Sequence, residues 1–227
     1  MATRQTDTDY QVDRELALGL SDVRLAGRLS IPRGAVGLVL FAHGSGSSRL
    51  SPRNLQVAER LHRSSLGTLL FDLLTPEESD HRNRVFDIVK LAQRLVSATR
   101  SIQDSPDVAG LALGYFGAST GAAAALVAAA HLRDRISAVV SRGGRPDLAA
   151  AVLPSVRAPT LLIVGGADTD ILELNQRALV RLGGRRKLAV VPNAGHLFVE
   201  PGALDEVSDL AAEWFTTHLA APAGRTR

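Results

Sequence analysis

Gly114-Tyr-Phe-Gly-Ala-Ser-Thr-Gly-Ala-Ala-Ala-Ala-Leu126 sets one serine between two glycines, directly ahead of a run of alanines. Gly-x-Ser-x-Gly by itself is weak evidence in a chain with 20 glycines, so its surroundings decide. A serine on a sharp strand-to-helix turn takes an unfavourable backbone conformation, and only small neighbours avoid a clash there. The run LALGYFG (111–117) reads as the incoming strand and the alanine run, reaching His131, as the outgoing helix.

The same alternation of strand and helix signals extends in both directions. GLVLFAH (37–43), TLLFDLL (68–74), ISAVVSR (136–142), TLLIVGG (160–166) and KLAVVP (187–192) are apolar, β-branched runs suited to strands covered on both faces. Helical patterns are expected near 54–63, 83–103, 171–182 and 203–219. The last places Leu204, Val207, Leu210, Ala211, Trp214 and Phe215 along one face, so Trp214 reads as core. YQVDRELAL and VRLAGRLSIP alternate apolar and polar residues across a Gly-Leu-Ser-Asp turn, the pattern of an antiparallel pair with one wet face. An α/β fold follows, expected as a single domain over 10–219 with flexible tails at 1–9 and 220–227. The interval between VVSRGG and APTLLIV is too short for a helical cap domain, so an open site is expected.

A serine hydroxyl attacks only with help from a base, and a histidine base is oriented by a carboxylate. Of the six histidines, His196 alone lies in a loop just after a strand late in the chain, where it reaches the carboxyl edge of the sheet. Asp168 follows the preceding strand and is the favoured acid. Asp170 competes, either as acid or as the cap of the helix starting at Ile171, and Asp147 is a weaker third candidate. The amide of Thr120 is one expected oxyanion donor. The loop His43-Gly44-Ser45-Gly46 is bare enough to supply the second, Ser45 first and Gly46 next. His43 is more simply a brace for that loop than a chemical group.

The composition narrows the alternatives. The chain has 227 residues, 45% of them hydrophobic, and a net charge of +3 carried almost entirely by scattered arginines. No basic stripe emerges, so neither a nucleic-acid nor a membrane partner is expected, and a polar amino terminus points to a cytoplasmic protein. With no cysteine, disulfides, thiolate metal sites and a cysteine nucleophile are excluded. No metal and no cofactor are expected, and monomer or homodimer stays open.

Taken in order, FAHGSGSSRLSPRN, GYFGASTGAAAAL, VVSRGGRPDL, LLIVGGADTD and VVPNAGHLFVEPGAL resemble the α/β-hydrolase superfamily, and within it the small lid-free enzymes of the dienelactone hydrolase family. The resemblance covers about residues 10–219. It implies an eight-stranded, mostly parallel sheet with helices on both faces and an antiparallel first strand pair. It also implies a Ser or Cys nucleophile with Asp and His, roles that fall on Ser119, Asp168 and His196. The namesake enzymes carry cysteine at the nucleophile position, whereas this chain carries Ser119, which puts dienelactone itself in doubt as substrate. Similar sequences also look like domains fused to phosphoribosyltransferases, but this chain has no phosphoribosyl-binding run.

The expected activity is that of a serine hydrolase of the carboxylic-ester type (EC 3.1), acting on an ester, thioester or lactone of a small acyl substrate. The alternative is a non-catalytic binding domain of the same fold. Arg49 and Arg53 follow the oxyanion loop, and Arg142 and Arg145 follow the strand after the nucleophile, so an anion site on one rim is a hypothesis. Its competitor is that these arginines pair with Asp72, Glu77, Glu78 or Asp147.

Overall fold

The computed structural model describes residues 8–20 and 23–220, apart from the side chain of Arg82. Most of the tail positions named above, 1–7 and 221–227, lie outside the described residues, as do Ser21 and Asp22 of the first turn. Eight strands form one sheet: β1 (Tyr10–Gly19), β2 (Arg24–Pro32), β3 (Gly37–Ala42), β4 (Leu66–Phe71), β5 (Ala112–Ala118), β6 (Ala138–Arg142), β7 (Thr160–Gly165) and β8 (Arg186–Val191). Their spatial order is β1-β2-β4-β3-β5-β6-β7-β8. β2 is antiparallel to both β1 and β4, and every other pairing is parallel.

Alternation along the central strands divides the core. On β3, Leu38, Leu40 and Ala42 face one apolar cluster, while Val39 and Phe41 face another. The first is closed by α4 (Ile88–Gln103) and α5 (Thr120–Leu132), the second by α1 (Pro52–His62) and α7 (Ala203–Leu219). Burying each such leucine is worth about 1.5–3 kcal/mol, and both faces of the sheet are used. Trp214 lies in the second cluster, its indole N–H donating to the Pro159 carbonyl at 3.3 Å. Ten residues of α5 are buried; its alanines let it lie close against the sheet under α4.

Two expectations are corrected. The single helix read over 83–103 is two pieces, α3 (Arg82–Val85) and α4, and a further short helix, α2 (Pro76–Ser79), precedes them. Two side-chain caps set the starts of α2 and α4. Thr75 and Glu78 form a reciprocal capping box around Pro76 at the start of α2, and the Asp87 carboxylate accepts from the Lys90 amide at 3.0 Å to start α4. The helix read from Ile171 begins earlier, as α6 (Thr169–Leu179), so Asp170 lies inside its first turn rather than at its cap. Between β6 and β7 only two short 3-10 turns occur, Pro146–Ala149 and Leu153–Ser155.

Candidate active site

Ser119 stands between the last residue of β5 and the first of α5 with φ 51° and ψ −119°, a region that L-residues occupy only at a cost of about 1–3 kcal/mol. Its neighbours hold it there. The Ser119 amide donates to the Arg142 carbonyl at 3.2 Å, and the Ser119 carbonyl accepts from Arg145 (3.2 Å) and Ala122 (3.1 Å). The flanking glycines are explained by space. A Cβ on Gly117 would stand 2.5 Å from the Cα of Ala122, and one on Gly121 would stand 2.5 Å from the His43 carbonyl oxygen and closer still to that of Ala42. The turn therefore admits no side chain at either position.

The loop after β3 passes directly beside this turn, for a Cβ on Gly44 would come within 3.0 Å of the Cβ of Ser119. The Ser45 amide, expected to face an oxyanion, donates to the Thr120 hydroxyl at 3.1 Å. The Thr120 amide is the first of α5 and has no intrahelical acceptor. His43 is buried and both its ring nitrogens meet backbone: Nε2 accepts from the Leu73 amide at 2.9 Å, which leaves Nδ1–H to donate to the Gly44 carbonyl at 3.1 Å. Burial pushes its pKa down, so the ring is a neutral tie between β3 and the chain after β4.

His196 lies in the loop after β8, and its Nδ1 is 2.7 Å from Oδ2 of Asp168. A carboxylate only accepts, so Nδ1 carries the hydrogen and Nε2 has the free lone pair. Asp168 is in the N-cap position of α6 but makes no capping bond; its carboxylate is turned to the imidazole instead. The ring rests over the end of β6, where a Cβ on Gly143 would be 3.4 Å from its Nδ1 and Cε1. Since Ala118 and Arg142 are register partners, that places the histidine loop beside the turn that carries Ser119. Asp147 lies apart from this arrangement and pairs with Arg145 at 2.7 Å.

Several supporting groups were not found from sequence. Glu200 Oε1 accepts from the Gly195 amide at 2.9 Å, which braces the histidine loop, and Ala167 donates to the Ala194 carbonyl at 2.9 Å, which ties that loop to the acid loop. Asn175 is buried and its amide donates to the Gly144 carbonyl at 3.0 Å, tying α6 to the loop after β6. The one available signal was a polar residue at an otherwise core-facing position of α6; Glu200 gave none. The four arginines divide. Arg49 bonds to Asp72 through its amide at 2.8 Å and reaches it with its guanidinium at 3.4 Å, and Arg145 pairs with Asp147. Arg53 and Arg142 have buried guanidinium nitrogens with no partner among the described residues.

A cavity of about 560 Å³ opens beside the turn, lined by Gly44 and Ser45, by Thr120, by Arg53 and by apolar residues including Leu74 and Leu91. Among the described residues, no group of three or more His, Asp or Glu is placed to hold a metal ion, and no helix is long and apolar enough to cross a membrane.

No protein-family model matches the chain. It is 54% identical to a dienelactone hydrolase from Anabaena variabilis, whose crystal structure superposes with a TM-score of 0.90 over 93% of this chain and 99% of that one. Est1E of Butyrivibrio proteoclasticus shares the fold at 16% identity, with a TM-score of 0.78 over 91% of this chain and 99% of its own. Two Mycobacterium tuberculosis proteins, from strains H37Rv and CDC 1551, carry the name "Putative phosphoribosyl transferase" and are 57% identical over 210 residues. That match takes in 92% of this chain but 47% of theirs, so the chain spans about half the length of these curated relatives. With more than half of its residues shared along nearly the whole Anabaena chain, the protein belongs to the dienelactone hydrolase-like family of α/β-hydrolases.

Proposed function

We propose that the protein is a serine hydrolase that cleaves an ester, thioester or lactone of a small substrate through an acyl-enzyme. The observation that carries the reading is the 2.7 Å contact of Asp168 with His196 Nδ1, on a loop that lies beside a serine held at φ 51°. In this reading Ser119 Oγ attacks the acyl carbon while its proton passes to Nε2 of His196. Asp168 holds the ring in the required tautomer and stabilises the imidazolium that forms. The imidazolium then gives the proton to the leaving alcohol, thiol or ring oxygen. Water, deprotonated by the same nitrogen, attacks the acyl carbon and releases the acid with Ser119 restored.

The negative charge that develops on the carbonyl oxygen is met by the amide of Thr120 and the positive end of α5. The Ser45 amide serves as second donor once the Thr120 hydroxyl gives way. An oxyanion accepts a charge-assisted bond roughly twice as strong as a neutral hydroxyl does, so the exchange favours the transition state over the resting site. The transferase name belongs to proteins about twice as long, and the region they share with this chain is the hydrolase fold; hydrolysis, not phosphoribosyl transfer, is the chemistry assigned here.

Labelling by a fluorophosphonate probe tests the reading. Wild type is expected to be modified at Ser119 and Ser119→Ala to remain unlabelled. A wild-type protein that neither labels nor turns over any member of a panel of activated esters, thioesters and lactones overturns it.

A further inference from the structure

Three sources of positive charge converge beside the oxyanion loop without a counter-ion among the described residues. The first is Arg142, the last residue of β6, 8% exposed, with Nε and Nη1 buried and unpartnered among the described residues. Val140, two residues earlier and so on the same face of the strand, packs in the cluster with Val57, Ala58 and Leu61 of α1. Arg142 therefore projects on the α1 side of the sheet, at the edge where α1 begins. The second is Arg53, in the first turn of α1, whose Nε is also buried and unpartnered among the described residues. The third is the helix end itself: Ser51 makes no side-chain capping bond, no acid stands in the first turn, and the amides of Arg53 and Asn54 point outward.

A cation at the positive end of an uncapped helix, facing a second and buried cation, is an arrangement that costs free energy until an anion enters. The two guanidiniums do feel each other, since burial and the charge of Arg53 together bring the pKa of Arg142 down to about 10. Arg49 and Arg145, nearby in sequence, each have a carboxylate partner, so of these four arginines Arg53 and Arg142 are the two without one among the described residues. Arg53 lines the 560 Å³ cavity together with Ser45, Ser47, Ser48, Ser51 and Ser79, a density of hydroxyl donors that suits a ligand with several acceptor oxygens. The one acidic lining residue is Asp80, exposed on the rim.

We infer that the end of this cavity lined by Arg53 and the first turn of α1, with Arg142 buried behind it, is a subsite for a phosphate monoester group. A dianion with three terminal oxygens matches two guanidiniums, two helix amides and the serine hydroxyls, where a carboxylate would leave one cation unbalanced. The subsite lies in the cavity that holds the oxyanion loop, so it directs the proposed hydrolase toward phosphorylated acyl substrates. That role rests on the hydrolytic reading, whereas the binding of phosphate does not.

The test is equilibrium binding of inorganic phosphate, by calorimetry and by thermal unfolding at ionic strength held constant with KCl. It uses full-length Ser119→Ala protein, so that turnover plays no part, with Arg53→Gln and Arg142→Met added singly and malonate as a dicarboxylate control. Phosphate is expected to bind and raise the unfolding midpoint, and each added substitution to weaken it roughly tenfold to a hundredfold. Arg142→Met in the absence of phosphate is expected to unfold at a midpoint no lower than its parent, because it removes a buried unpaired charge. Should that variant not fold, Arg53→Gln alone decides. No phosphate binding, equal binding by Arg53→Gln, or tighter binding of malonate than of phosphate would each overturn the proposal. Fluorophosphonate labelling of wild type, read separately, shows whether the hydrolytic reading survives that result.

Discussion

Gly121→Ala is the substitution whose consequence the geometry specifies most fully. The new Cβ would stand 2.5 Å from the His43 carbonyl oxygen, 2.6 Å from the Ala42 carbonyl carbon and closer still to that carbonyl's oxygen, against a floor near 3.0 Å for real Cβ contacts. All three atoms are backbone, so no rotamer change relieves the clash. The start of α5 must separate from the end of β3 by about 0.5–1 Å; the Thr120 amide belongs to the first and the Ser45 amide to the loop that follows the second. A misplacement of about 1 Å costs on the order of a hundredfold in rate, and forced overpacking costs about 1–3 kcal/mol of stability. The assay is kcat/KM on an activated aryl ester beside a urea unfolding curve, with Ala123→Gly as control. Ala123 is buried two residues further along α5, and glycine there costs about 1 kcal/mol in helix propensity while leaving the turn alone. Gly121→Ala should lose about a hundredfold in kcat/KM and Ala123→Gly should keep its activity per folded molecule. Full activity in Gly121→Ala, or an equal loss in Ala123→Gly, would refute the reasoning.

Asp168→Asn is expected to lower kcat about 10⁴-fold through the wrong imidazole tautomer, whereas Asp170→Asn, exposed in the first turn of α6, should stay within a few-fold of wild type in the same assay. Ser119→Gly and Ser119→Ala should both be inactive, yet the glycine variant should be the more stable by about 1 kcal/mol in urea, because φ 51° strains alanine and not glycine; the opposite order would remove the case for strain. His62 is half-buried between the Tyr10 hydroxyl at 2.9 Å and Thr68 Oγ1 at 2.7 Å, and burial lowers its pKa to about 4. A depressed histidine leaves the unfolded chain to take up the proton first, so its contribution is intact above about pH 6.5 and is lost as pH falls toward 4, by at most about 3 kcal/mol. Urea curves at pH 7 and pH 4.5 should show wild type losing about 2–3 kcal/mol more than His62→Gln, and parallel losses would count against it.

What the sequence alone determined were the features set by local chemistry and by period. Alternation and apolar runs located seven of the eight strands within a residue or two, since a strand's burial pattern is written in neighbouring residues; β4 was read to Leu74 but ends at Phe71. Gly117, Ser119, Gly121 and the alanine run declared the turn because a tight strand-to-helix corner excludes side chains locally. The break before α4 was legible in principle, through the Asp87 cap, yet apolar periodicity across 83–103 outweighed it. Tertiary structure alone decided which of several candidates meet. Asp168 rather than Asp170 contacts His196, because the carboxyl ends of β7 and β8 are neighbours and α6 starts one residue after Asp168. It also decided that Arg49 and Arg145 are paired while Arg53 and Arg142 have no carboxylate partner among the described residues. Charge compensation depends on distances between residues far apart in the chain, and those distances exist only once the sheet has been assembled.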